Sequence, residues 1–297
     1  FATGADIITA SAGTSNTRVG VNAGDAIISG GNYNVFVGDE SGTATTTGDG
    51  NVGVGYSALA TNISGLYNTA VGYNALNSNT ATANTAVGYN ALLLNAAGSE
   101  NTAVGYLSLD ANTTGNYNTA LGRDSLSGNT TANHNTAIGR LSLFTNSTGA
   151  NNTAVGSSSL QYSTTASDNT AVGYNTLVTN TTGHSNVAMG ADALDANTEG
   201  AANTSLGKGS MTTNTTGSNN VAVGKSALEA NTTANYNTAV GERSMVDNTT
   251  GANNVAVGSQ ALTNNTTAAN NTAVGSSALL TNTTGARNTA VGTNALD

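Results

Sequence analysis

The chain has 297 residues, of which 8% are charged and 4% aromatic, with no Trp, Pro or Cys. Seven basic against 16 acidic residues give a net charge of −9 with no basic run, which speaks against nucleic-acid binding. The missing cysteines exclude disulfides and thiolate metal sites, and no apolar run nears membrane-spanning length, Ala91–Leu94 being too short.

The chain begins at Phe1 and reads as a processed or excised piece. Residues 1–50 form an irregular opening and are expected to act as an N-terminal cap or adaptor. Two NTAVG-like units are present there, Asn16–Gly20 and Asn34–Gly38, but Gly24 and Gly42 stand where later units carry Leu. Terminal repeats of a stacked array are atypical because one face has no neighbour.

Residues 51–297 settle into a consensus N-T-A-V-G-x-x-A-L-x-x-N-T-T-G-x-x. The closing glycines fall at Gly55, Gly72, Gly88 and Gly105, then every 17 residues to Gly292. A fixed short period with polar, Gly-rich composition predicts an all-β parallel β-solenoid, or β-roll, of 17-residue coils rather than a disordered chain. Tight hairpins would call for Asn-Gly turns, and the chain has none, so the coils are expected to be parallel. At about 4.8 Å per coil the array predicts a rod roughly 77 Å long.

Equivalent residues of stacked coils line up in columns. The β-branched Thr69 and Val71, with their equivalents, suit a strand, and side chains two apart share one face. The expectation is that Val71, Val87 and Val104 point inward, with a second core column of Leu76, Leu92 and Leu109. The Ala between them, as at Ala70, is then expected to face out, toward another backbone or a tight corner. The Asn column of Asn68, Asn84, Asn101, Asn118 and Asn135 predicts an amide ladder along the axis, each side chain donating to the next. Gly72, Gly88 and Gly105 are expected to adopt positive φ or to touch a neighbouring backbone. Two apolar side chains per coil make a thin core against the entropy of ordering 17 residues, which predicts a homo-oligomer, a trimer by preference.

At NTAVG the sequence resembles the head repeats of trimeric autotransporter adhesins and, more closely over residues 51–297, the repeat regions of phage-type tail fibres. Asn68–Leu76, Asn84–Leu92 and Asn101–Leu109 carry the second resemblance. It implies a left-handed β-roll assembled as a fibre-like homotrimer. The coil is longer than in the adhesin heads, and the sequence carries no stalk or chaperone pattern.

No catalytic or metal constellation emerges: His134 and His184 stand in variable corners, and Asp192 and Asp195 lack the glycine-and-aspartate repeat of calcium rolls. The chain is therefore expected to be non-enzymatic, without cofactor or metal. Asn112, Asn180 and Asn214 begin N-T-T sequons, although the ladder already accounts for Asn there; the corner Thr113 and Thr114 are the alternative, as O-linked sites. Tyr56, Tyr73, Tyr89 and Tyr106 occupy one column and form a candidate ribbon for sugar rings or another fibre. Together these features predict an extracellular, cell-surface or virion-surface structural fibre contacting a surface glycan or receptor, without nucleic-acid partner or membrane insertion. A self-polymerising head-to-tail filament is the alternative. A third, ice binding, is weakened because consecutive corner threonines point to opposite faces.

Overall fold

A computed structural model describes residues 12–297; the first eleven residues of the predicted cap lie outside the described residues. The fold is an all-β parallel solenoid of 17-residue coils, without helix among the described residues. Two compact units are distinguished, one ending at Asn135 and one running from Thr136 to Asp297. The first contains three-residue strands from Thr17–Val19 to Thr119–Leu121, the second those from Thr136–Ile138 to Thr289–Val291.

Within each unit the strands pair in parallel with no slip of register: Thr69 faces Thr85, Ala70 faces Ala86 and Val71 faces Val87. Each coil donates to both neighbours. Thr85 N–H, for example, reaches Asn101 O at 2.8 Å, and Gly88 N–H reaches Val71 O at 2.8 Å.

Strand direction in and out is the reverse of the expectation. Thr and Val do share a face, but that face is the outer one. Val71 is 37% exposed and Val87 and Val104 are half-buried, while Ala70, Ala86 and Ala103 are fully buried. The cause is the narrowness of the coil. Ser159 Oγ, from the facing wall, donates across the interior to the strand carbonyl of Ala171 at 3.0 Å. A wall that close favours a small side chain on the strand, Ala in most coils and Ser205 in one. Leu76, Leu92 and Leu109 are fully buried and supply the bulk of the core.

These leucines hold left-handed backbone, φ +50° at Leu76 and +53° at Leu92 and Leu109. An L-residue pays roughly 1–2 kcal/mol for that conformation, and a β-branched one is disfavoured further. The column accordingly carries Leu, with Met211 and Met245, and never Val or Ile.

Each motif glycine is required twice over. At Gly38 the backbone has φ +130°, and a Cβ there would lie 2.6 Å from Gly55 O of the next coil. Gly72, Gly88 and Gly105 repeat the geometry with φ +138° to +139°.

The motif asparagines form the expected amide-to-amide ladder, as from Asn68 Nδ2 to Asn51 Oδ1 at 3.1 Å and Asn101 Nδ2 to Asn84 Oδ1 at 3.2 Å, and add two further kinds of bond to it. Oδ1 of each Asn accepts the backbone N–H of the next: Asn84 N–H on Asn68 at 3.0 Å, Asn101 on Asn84 at 2.9 Å, Asn118 on Asn101 and Asn135 on Asn118 at 3.0 Å. Nδ2 also donates to a corner carbonyl, as from Asn101 to Gly115 O at 2.9 Å. Burial without these partners would be costly, so every amide is fixed in one orientation. A second ladder runs side chain to side chain, with Asn95 Nδ2 donating to Asn79 Oδ1 at 2.8 Å and Asn112 Nδ2 to Asn95 Oδ1 at 2.7 Å.

Candidate functional site

With the interior occupied by Ala, Leu, Asn and Gly, functional chemistry falls to the outward columns. The residue after each motif Gly is the most conspicuous. Tyr56, Tyr73, Tyr89 and Tyr106 stack in register, ring centroids 5.2, 5.4 and 5.2 Å apart and planes within 9–19° of parallel. Parallel pairing sets this geometry, because one residue per coil repeats at the strand spacing. Arg123 closes the column, its guanidinium carbon 5.6 Å from the Tyr106 ring centre. Its Nε lies 3.0 Å from Asp124 Oδ2. Tyr106 and Arg123 also line a shallow surface depression.

This stacking changes what the column can bind. Ring faces are spent on one another, so edges and phenol hydroxyls are what meet solvent, each Tyr being 44–49% exposed. A sugar cannot lie flat on an inner ring; contact must run along the column, across the ring edges. The spacing places the four Tyr residues and Arg123 in one column, and the structure adds the ring stacking and the guanidinium contact. A second aromatic contact, Tyr117 on His134 at 4.9 Å and 7°, lies in the column before the motif Asn and was not anticipated.

The candidate sequon asparagines are corrected to structural residues. Asn112, Asn180 and Asn214 are fully buried. Nδ2 of Asn180 donates to Gly183 O at 2.8 Å, and that of Asn214 to Asn197 Oδ1 at 2.9 Å and Gly217 O at 3.0 Å. A sugar on any of them would displace a ladder donor from the interior. Thr113 Oγ1 is likewise engaged, donating to Thr130 O at 2.9 Å, while Thr114 is exposed.

Among the described residues no group of three or more His, Asp or Glu converges as for a metal ion, and no helix is long and apolar enough to cross a membrane. Two carboxyls are perturbed. Burial raises Asp110 above its ordinary value, partly offset by Ser127 Oγ donating at 2.6 Å. Burial also raises Asp195, and the neighbouring charge of Asp192 adds to it.

The widest outward feature is the strand face itself. The first and third residues of every strand, from Thr17 and Val19 to Thr289 and Val291, are Thr, Val, Leu, Ile or Met, with no charge among them. Leu121 and Met189 are each 46% exposed there. Comparison with protein-family models and with curated proteins gave no match.

Proposed function

We propose that the chain is the shaft of a non-enzymatic structural fibre on an extracellular, cell or virion surface, built of left-handed coils as a parallel homotrimer. The observation that carries this reading is the uncharged outer strand face. Within each unit an uncharged stripe of Thr and aliphatic side chains, on a chain with 23 charged side chains, supports an interaction surface. The partner whose side chains repeat at the same spacing, coil after coil, is a second copy laid parallel. Cyclic assembly about the long axis brings the stripes together and closes without leaving a free end of the interface. The resemblance to tail-fibre and adhesin-head repeats supports three copies and the left hand.

In this arrangement the Tyr56–Tyr106 column, one residue beyond Gly and beside the Val stripe, runs along the flank of the fibre. We assign it to adhesive contact with a surface glycan or receptor.

Light scattering of the purified chain tests the assembly: three times 29.1 kDa is expected, and Val104→Asp with Val223→Asp should release monomers. A folded wild-type monomer would sink the proposal. Unlimited filaments in electron micrographs would replace it with head-to-tail polymerisation. For the adhesive role, Tyr73→Ser with Tyr89→Ser should reduce binding to cells or glycans; unchanged binding removes the Tyr column from the account.

A further inference from the structure

The corner threonines, expected from the sequence to point to opposite faces, divide in the structure by what holds the hydroxyl. Where a further coil follows, the first Thr of the N-T-T corner is tied down: Oγ1 of Thr181, Thr215 and Thr249 donates to the backbone carbonyl of the equivalent residue one coil on, at 3.0–3.1 Å. The second, from Thr114 and Thr131 in the first unit to Thr148 through Thr284 in the second, is exposed in every coil. Its backbone N–H is used, as from Thr216 to Thr232 O at 3.3 Å, but its hydroxyl makes no hydrogen bond among the described residues.

Nothing in the coil requires a hydroxyl at this second position. Other exposed columns in the same coils have diversified: the one after Gly holds Tyr, Arg, Ser, Ala, Lys and Glu, the one before Asn holds Tyr, His, Asp, Ser and Arg. The second-Thr column carries Ser64, Ala81 and Ala97 in the earlier regular coils and then Thr from Thr114 to Thr284, Glu199 apart. A run of exposed hydroxyls kept through these later coils points to chemistry done on the hydroxyl from outside.

We propose that this column is a ladder of acceptor sites for O-linked glycosylation. The residue that follows is Gly or Ala, buried at Gly217 and Ala234, so the adjoining position puts no bulky side chain beside the exposed hydroxyl. In the reaction Thr Oγ attacks the anomeric carbon of a nucleotide-activated sugar. The C–O bond to the nucleoside diphosphate breaks as the new one forms, and the hydroxyl proton passes to a base of the transferase. No change of oxidation state is involved. Phosphate on the same hydroxyls is disfavoured. Near-dianions at about 4.8 Å spacing fall well inside the screening length of roughly 8 Å, on a chain already at −9. Neutral sugars carry no such repulsion.

Electron-transfer peptide mapping of the protein isolated from its natural source tests this. Added masses of whole monosaccharide residues are expected on Thr114, Thr182, Thr216 and Thr250, and none on Thr113, Thr181 or Thr215. Unmodified peptides across these corners, phosphate in place of sugar, or sugar on the tied threonines or on Asn112 would each overturn the proposal. Replacing Thr216, Thr233 and Thr250 by Val in the natural host provides a second readout. Removal of only the sugars mapped to those three residues is expected, with circular dichroism unchanged. Sugar reappearing on the neighbouring Thr215 or Thr232 would count against the distinction between the two kinds.

Discussion

The opening coils and the regular coils of the first unit solve one packing problem in two ways. In the regular coils each strand contributes Ala to the interior and each facing wall contributes Leu, as with Ala86 and Leu92. In the opening coils the Leu positions are Gly24 and Gly42, and the strand contributes Phe36, fully buried. The exchange is geometric. A Cβ on Gly24 would lie 2.7 Å from the Phe36 ring, and Gly42 sits as close on the other side; Gly53, in the Ala column of the next coil, completes the space. One Phe entering from the strand thus occupies space on both sides that leucines of the opposite wall take in the regular coils. Gly24 and Gly42 keep the left-handed φ of the Leu column, +53° and +60°, so the backbone is unchanged. The interior can be filled from either wall, so long as the facing positions give way.

Breaking that exchange gives the largest expected effect. Phe36→Ala empties the interior of both opening coils and should cost about 3–5 kcal/mol, the range for large core truncations. Hydrogen exchange should quicken first in residues 17–50 and leave later coils protected. Adding Gly24→Leu and Gly42→Leu to Phe36→Ala should restore most of the loss by converting the opening coils to the regular form. If the triple variant is no more stable than Phe36→Ala, the volume exchange is wrong.

Next in size is a substitution that keeps volume and attacks conformation. Leu92→Ile would cost little in an ordinary core, below about 1.5 kcal/mol. Here Ile must adopt φ +53°, and the β-branch should bring the total to about 2 kcal/mol. Leu92→Met, already the solution at Met211 and Met245, should be nearly neutral. Chemical denaturation of the pair measures the difference, and equal losses would remove the backbone argument.

These contrasts also define how much was legible in the sequence. Spacing fixed the parallel coil, its register, the glycine bends and the asparagine columns, because each is a repeat of one residue type at one position. Direction was misread. Thr69 and Val71 were correctly placed on one face, but the larger side chain was assigned to the inside by hydrophobicity alone. The recurrent small residue at Ala70, Ala86 and their equivalents carries the contrary signal: a position kept small through coil after coil is crowded, and a crowded interior reads the same way as an intermolecular contact. The compensation by Phe36 was hidden because it links residues 12 and 6 positions away in sequence, Gly24 and Gly42, through space. The contact of Arg123 with the Tyr106 ring and the hydroxyl bond of the first corner Thr are not legible for a like reason, since the side-chain partners lie one coil away.

A third comparison lies in a single column, five residues after Gly. In the opening, Asp25 is exposed and accepts Thr43 Oγ1 at 3.0 Å. In the second unit Asp195 is half-buried, and its Oδ1 has no partner. Because burial raises the folded-state pKa of Asp195, the folded chain holds that proton more tightly than the unfolded chain does. Its stabilising contribution is therefore complete below the ordinary value of 3.8 and is lost as pH rises through the raised folded value. Asp195→Asn should stabilise the chain at pH 7 by about 1 kcal/mol, the low end for relieving an unsatisfied buried oxygen. The gain should vanish once the pH falls below the carboxylate range, and Asp25→Asn should do nothing measurable. A gain for Asp195→Asn that persists unchanged in acid would show that charge was not the cause.

The smallest expected effect compares two interruptions of the second Asn ladder, one in each region. Thr45 and Ser163 occupy Asn positions, both fully buried, and the hydroxyl of each lacks a hydrogen-bond partner. An intact step shows what is missing: Ala132 O accepts from Asn118 at 2.9 Å and from Asn129 at 3.2 Å. In the interrupted coil Ala166 O accepts from Asn152 at 2.8 Å, and an Asn at 163 would bring the second donor. Its Oδ1 would also receive Nδ2 of Asn180, which now reaches only its own corner at Gly183 O. Ser163→Asn should therefore stabilise by about 0.5 kcal/mol, near the lower limit for a buried hydrogen bond. Thr45→Asn should gain less, since the preceding coil carries Ile27 and Ile28 at that level and offers no amide to continue the ladder. Thermal melts of the two single variants rank them directly. A loss at Ser163 would mean that this corner has closed around the smaller side chain, and the ladder would then be a consequence of coil spacing rather than a contributor to it.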